Sequence, residues 1–266
     1  MSLRNASADG TELRTKSCNR AYSLGSMDPF IKMLLLTTAS GACILAGGLL
    51  ARVERIRPLW LEQELRHTII AFGGGVLIAA IALVLVPEGL VYFDAPLWGG
   101  ASFLAGGVVF MQAERYLSAK AHQYPQTLAM LLDFIPESLA MGGMFALGSP
   151  SAPLLAILIG LQNLPEGFNA YREILAEADY RVNRTLHIMT IMILAGPLAG
   201  GLGWHVASTM PELVGATMLF ASGGILYLLF QDIAPQSHLE QRWAPALGAV
   251  LGFCFAMLAE IVVMGP

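Results

Sequence analysis

Eight stretches of roughly twenty residues, each nearly free of charge, dominate this chain and restrict what it can fold into. They fall at about 31–51, 69–87, 96–113, 125–147, 152–173, 186–206, 212–235 and 244–264. Segments of that length and character belong in a bilayer. There the backbone has no water to bond, so only helices or closed barrels span it. A barrel would need alternating ten-residue strands, which are absent. Composition agrees: 13% of residues are charged and 56% apolar, where a soluble domain carries about 25% charged. The expected class is therefore an all-α, multi-pass integral membrane protein with eight transmembrane helices, placed in the cell (inner) membrane. The net charge of −4 argues against a nucleic-acid partner. Three cysteines, Cys18, Cys43 and Cys254, are odd in number and far apart, so no disulfide framework is implied.

Basic residues in the connections set the orientation. Arg52, Arg55, Arg57 and Arg66 flank the first connection, and Arg115 and Lys120 the third. Arg172, Arg181 and Arg184 flank the fifth, and Arg242 lies in the seventh. The even-numbered connections and the C-terminus carry no Lys or Arg, which places both termini outside. Residues 1–30 are polar, Ser-rich and non-periodic, and read as a disordered tail preceding a transmembrane domain over 31–266. The tail's own basic residues dissent from this orientation, but most lie well upstream of the first span.

Spans two and seven echo each other. Ala71-Phe72-Gly73-Gly74-Gly75 opens one and Leu219-Phe220-Ala221-Ser222-Gly223-Gly224 the other; Phe72 precedes Pro87, and Phe220 precedes Pro235, by the same interval. One of these helices runs outward and the other inward. That is the pattern of a 3+2+3 inverted-repeat transporter, whose substrate binds near the midplane.

The chemistry concentrates in spans four and five. The first reads Asp133-Phe134-Ile135-Pro136-Glu137 and the second Gln162-Asn163-Leu164-Pro165-Glu166. In each, a polar residue and a glutamate stand at i and i+4 and share a helix face. A short connection makes the two helices antiparallel neighbours, so the faces can meet. Each proline also frees a carbonyl one turn earlier, at Leu132 and Leu161. An acid at mid-membrane costs about 2.5–3.5 kcal/mol, so three acids would cost about 7–10 kcal/mol unless a divalent cation or protons offset them.

On these paired motifs the chain resembles the ZIP (Zrt/Irt-like) divalent-metal transporters from about residue 31 to the end. The resemblance implies eight helices, both termini outside, and transport of a metal of the Zn, Fe or Mn class toward the cytoplasm. Matched position by position, it assigns Asp133, Glu137, Gln162 and Glu166 to the primary metal site. Phe134, Asn163 and Gly196-Pro197 depart from the pattern at a second, adjoining site, so a mononuclear centre is expected. All four ligands offer oxygen, which suits a harder ion. The metal is substrate, and no enzymatic activity is implied.

Glu88, Asn163, Asn169, Glu173 and Asp232 are the candidate pathway residues, with His238 beside them. Asp94, Glu212 and Glu260 also fall toward the outside, and Ser138 is a candidate helix–helix hydrogen-bond donor. A homodimer is the candidate oligomer. The rival readings are a membrane metal sensor that does not translocate and an intramembrane metal-dependent hydrolase. The hydrolase is disfavoured because neither His-Glu-x-x-His nor Gly-x-Ser-x-Gly occurs.

Overall fold

The computed structural model describes residues 27–53, 59–120, 125–176, 182–239 and 242–265. Residues 1–26 of the polar tail lie outside the described residues, as do Cys18, Arg55, Arg57, His122 and Arg181. Among the described residues the structure is helical throughout and contains no strand.

The helices form eight rods. We number them α1 (Pro29–Val53), α2 (Leu59–Ala79, continued by Ala80–Leu85 and Val86–Leu90), α3 (Pro96–Lys120) and α4 (Pro125–Ala146). The others are α5 (Ala152–Ala176), α6 (Val182–Thr209, interrupted at Leu194), α7 (Pro211–Ser237) and α8 (Ala244–Met264). Each overlaps one apolar stretch of the sequence. Six are long and apolar enough to cross a membrane: α1, α2, α4, α6, α7 and α8. Helices α3 and α5 have the length, at 25 residues each, but not the same apolar content. Large exposed side chains such as Leu104, Leu198, Leu251 and Val262 complete an apolar outer surface, as a multi-pass membrane protein requires.

Prolines shape these rods in two ways. Before Pro87 and before Pro235 the helix widens: Val86 N–H bonds to Ile81 O and Ala234 N–H to Leu229 O, five residues back instead of four. A wider turn relieves the clash between a proline ring and the carbonyl one turn earlier. Pro197 leaves Ile193 O without its helical donor, and α6 is interrupted next to it, at Leu194. Pro136 and Pro165, by contrast, sit inside uninterrupted helices. Each proline forfeits one hydrogen bond, to Leu132 O and Leu161 O, without breaking its helix.

Glycine sets how the rods cross. A Cβ on Gly75 would collide with Ala249 O, and one on Gly252 with Phe72 O, so α2 and α8 meet backbone to backbone. Helices α7 and α3 cross in the same manner, Gly223 against Phe103 O and Gly106 against Phe220 O. The same device joins α1 to α5, through Gly47 on Leu164 O and Gly167 on Ile44 O. It also joins α4 to α6, through Gly142 on Gly200 O and Gly203 on Leu139 O. In all four crossings the glycine lies three residues after the carbonyl its own helix presents. Small residues permit this close packing where lipid provides no hydrophobic drive. Helices α4 and α5 also pack on each other, α2 against α5 and α7 against α4, with α1 and α6 in contact. The result encloses the middles of α4 and α5.

Candidate metal site

Helix α5 is buried along most of its length, including Gln162, Asn163, Glu166 and Asn169. Asp133 (2% exposed) and Glu137 (0%) of α4 are equally enclosed, as is Ser138. The i, i+4 spacing turns each pair toward the neighbouring helix, and the two motifs meet: Gln162 Nε2 donates to Glu137 Oε2 at 2.5 Å. The structure thus buries Asp133, Glu137, Gln162 and Glu166 and joins two of them, Glu137 and Gln162, across the helices.

This region is rich in oxygens that bond to nothing. Asp133 Oδ1, Glu137 Oε1, Ser138 Oγ, Gln162 Oε1, Asn163 Oδ1, both Glu166 oxygens and Asn169 Oδ1 are buried without a hydrogen-bond partner. A buried polar atom left unpaired costs about 1–3 kcal/mol. Hard divalent cations take six to eight oxygens, and these atoms are the acceptors such an ion or protons would satisfy. Among the described residues, no three His, Cys, Asp or Glu side chains form a group ready to hold an ion by themselves. Amide oxygens and side-chain movement must therefore contribute to any ligand sphere here.

Several supports were not visible in the sequence. Asn163 Nδ2 donates to Ser40 O at 2.9 Å, which ties α5 to α1 and fixes the amide. Phe134 is fully buried, and its ring lies where a Cβ on Gly196 would sit 2.7 Å from Cζ and one on Gly41 3.1 Å from it. The ring thus fills the space between α1 and α6 that Gly41 and Gly196 leave open. Ser138, expected to donate between helices, has no partner for its hydroxyl. Met130, Met141 and Met144 are fully buried in the apolar core.

The pathway candidates separate. Asn169 stands one turn beyond Glu166 in a cleft that also includes Gly73, Gly74 and Ile233. Glu173 binds the start of α4, its Oε2 accepting from Thr127 N and Thr127 Oγ1, both at 2.8 Å. A carboxylate there satisfies an otherwise unpaired donor at a helix N-terminus. Arg172, its neighbour, lies over the Phe168 ring at 4.8 Å. Asp232 is half-buried in the widened turn of α7, near Glu114, to which Tyr227 donates at 3.0 Å. Glu88 is half-buried near the end of α2; burial and then its charge raise the Tyr92 phenol above its usual range. His238 and the acids Asp94 and Glu212 are exposed, and Glu260 is half-buried.

No protein-family model matches this chain, and no curated protein matches it.

Proposed function

We propose that the chain transports a divalent metal cation of the Zn, Fe or Mn class across the membrane toward the cytoplasm, by way of a carboxylate site between α4 and α5. The observation that carries this reading is the cluster of buried, unpartnered oxygens on Asp133, Glu137, Gln162 and Glu166. Lipid-buried acids are costly and mark ion pathways by default. Oxygen donors without sulfur or imidazole favour harder ions over soft ones.

All eight rods cross the bilayer in this proposal, with both termini outside and spans 1–3 repeated in inverted orientation as spans 6–8. The packing supports the repeat. Exchanging α1 with α6, α2 with α7, α3 with α8 and α4 with α5 turns each of the four glycine crossings into another of the four. The widened turns before Pro87 and Pro235 exchange likewise. Such repeats place substrate sites at their interface near the midplane. The resemblance to ZIP transporters rests on the paired Pro-Glu motifs. The Phe134 ring, seated against Gly41 and Gly196, favours one ion over two, because it occupies the volume beside the site.

Uptake of Mn²⁺ and Zn²⁺ into proteoliposomes by the purified chain, compared with Glu137→Ala and Glu166→Ala, tests the proposal. Flux that is lost in both variants is the expected result. Equilibrium binding without flux in the unaltered chain would identify a sensor instead.

A further inference from the structure

We propose that Asn169 and Glu166 form a second station for the cation, one helical turn from the first, and that the ion leaves it sideways past Ile233 of α7. The inference rests on the transport reading and adds the direction of departure.

Residues three apart on a helix share a face and are separated by about 4.5 Å along the axis. Asn169 is only 3% exposed, and its Oδ1 has no partner; both Glu166 oxygens are likewise unpaired. The two side chains line one cleft, whose other walls are Ile70, Gly73 and Gly74 of α2, Pro165 of α5 and Ile233 of α7. Polar oxygens without donors, lining a cleft of only about 10 Å³, suit a small cation stripped of most of its water. They do not suit an anion, because the cleft's walls include no positively charged side chain.

The route cannot simply continue down α5. The next acid on that side, Glu173, is held by Thr127 at the start of α4. The cleft is closed on the α7 side by buried Ile233, which belongs to the widened turn and stands against Gly74, so this contact must part for an ion to leave. A Cβ on Gly74 would lie 3.0 Å from Ile233 Cγ2 and 3.3 Å from Leu229 Cδ1. Widened turns of this type recur at functional sites. Ligand charge falls along the route, from three carboxylates to one carboxylate with one neutral amide. A station that binds more weakly than the first lets an ion pass onward rather than remain.

Two measurements on the full-length chain separate this station from the primary site: Mn²⁺ binding at equilibrium, followed by the electron paramagnetic resonance of the free ion, and Mn²⁺ flux into proteoliposomes. Asn169→Leu removes the oxygen and fills the cleft; it should leave the tightest Mn²⁺ binding, that of the primary site, unchanged while flux falls by about tenfold. Asn169→Asp, which keeps an oxygen in place, should restore flux. Gly74→Ala narrows the cleft from the opposite wall without touching any ligand, and should slow flux with binding preserved. This variant also covers the case in which Asn169→Leu does not fold. Normal flux in Asn169→Leu or in Gly74→Ala overturns the station, as does a loss of binding equal to the loss of flux. Failure of the transport reading looks different: the unaltered chain would then carry no Mn²⁺ flux, whether or not it binds the ion.

Discussion

Gln162 of α5 donates its side-chain amide to the Glu137 carboxylate of α4 at 2.5 Å, joining the two Pro-Glu helices at the level of their acids. The bond leaves Gln162 Oε1 and Glu137 Oε1 unpaired and buried. It therefore organises the site without consuming the oxygens an ion would need.

Replacing that glutamine separates its two roles. Gln162→Leu removes both donor and oxygen, and should weaken Mn²⁺ binding by about tenfold. Gln162→Glu keeps an oxygen but sets a further acid against Glu137. Its melting temperature in detergent should fall without metal and recover as Mn²⁺ is added, because an ion binding only the folded state stabilises it. A melting temperature indifferent to Mn²⁺ in both variants would argue against an ion at Glu137.

Acid should compete with metal. The carboxylates of Asp133, Glu137 and Glu166 must be deprotonated to act as ligands, so binding releases protons. Equilibrium Mn²⁺ affinity should decline steadily from pH 8 to pH 5, and calorimetry in buffers of different ionisation heat should register proton release. Affinity that rises on acidification would contradict a carboxylate site.

The Phe134 ring should behave as a fixed part of the packing. A methyl at Gly196 meets both Phe134 Cζ at 2.7 Å and Thr37 O at 2.8 Å. Gly196→Ala should therefore destabilise by about 1–3 kcal/mol, the usual cost of overpacking. Adding Phe134→Leu should return only part of that loss, since the Thr37 carbonyl remains. Thermal unfolding of the two variants in one detergent would show it.

Glycines should differ sharply by position. Gly47→Ala places a Cβ into Leu164 O, where α1 crosses α5 beside the site, and should cost both stability and transport. Gly100→Ala has nothing within 4 Å and should stay within about 0.5 kcal/mol of the unaltered chain. Equal behaviour of the two would refute the backbone-to-backbone crossing.

Glu173→Gln tests the anchor at the start of α4. Losing the charge that accepts from Thr127 should destabilise by about 0.3–1 kcal/mol, the worth of an acid at a helix N-terminus. Equilibrium Mn²⁺ binding should be unchanged. Diminished binding would move Glu173 into the ion's own surroundings.

Much of this molecule is written in local pattern. Apolar runs of twenty residues yield rods because lipid leaves the backbone no other way to satisfy its hydrogen bonds, and among the described residues six helices are long and apolar enough to cross a membrane. Spacing of i and i+4 was enough to turn Glu137 of α4 and Gln162 of α5 toward each other. Matched intervals from Phe72 to Pro87 and from Phe220 to Pro235 reappear as matched widened turns and matched crossings.

Packing determined the rest, since it depends on residues far apart in the chain. Pro136 and Pro165 leave their helices whole because surrounding rods hold them, which no local rule could tell. Asn163 finds Ser40 O, Glu173 finds Thr127, and Phe134 finds Gly41 and Gly196, all across different helices. The sequence by itself determined which oxygens would be driven into the protein interior, because composition and helical period are properties of a single segment. Only the tertiary structure decided which of those oxygens stay unpaired and which are bound to a neighbour, because a hydrogen-bond partner is a matter of distance in space.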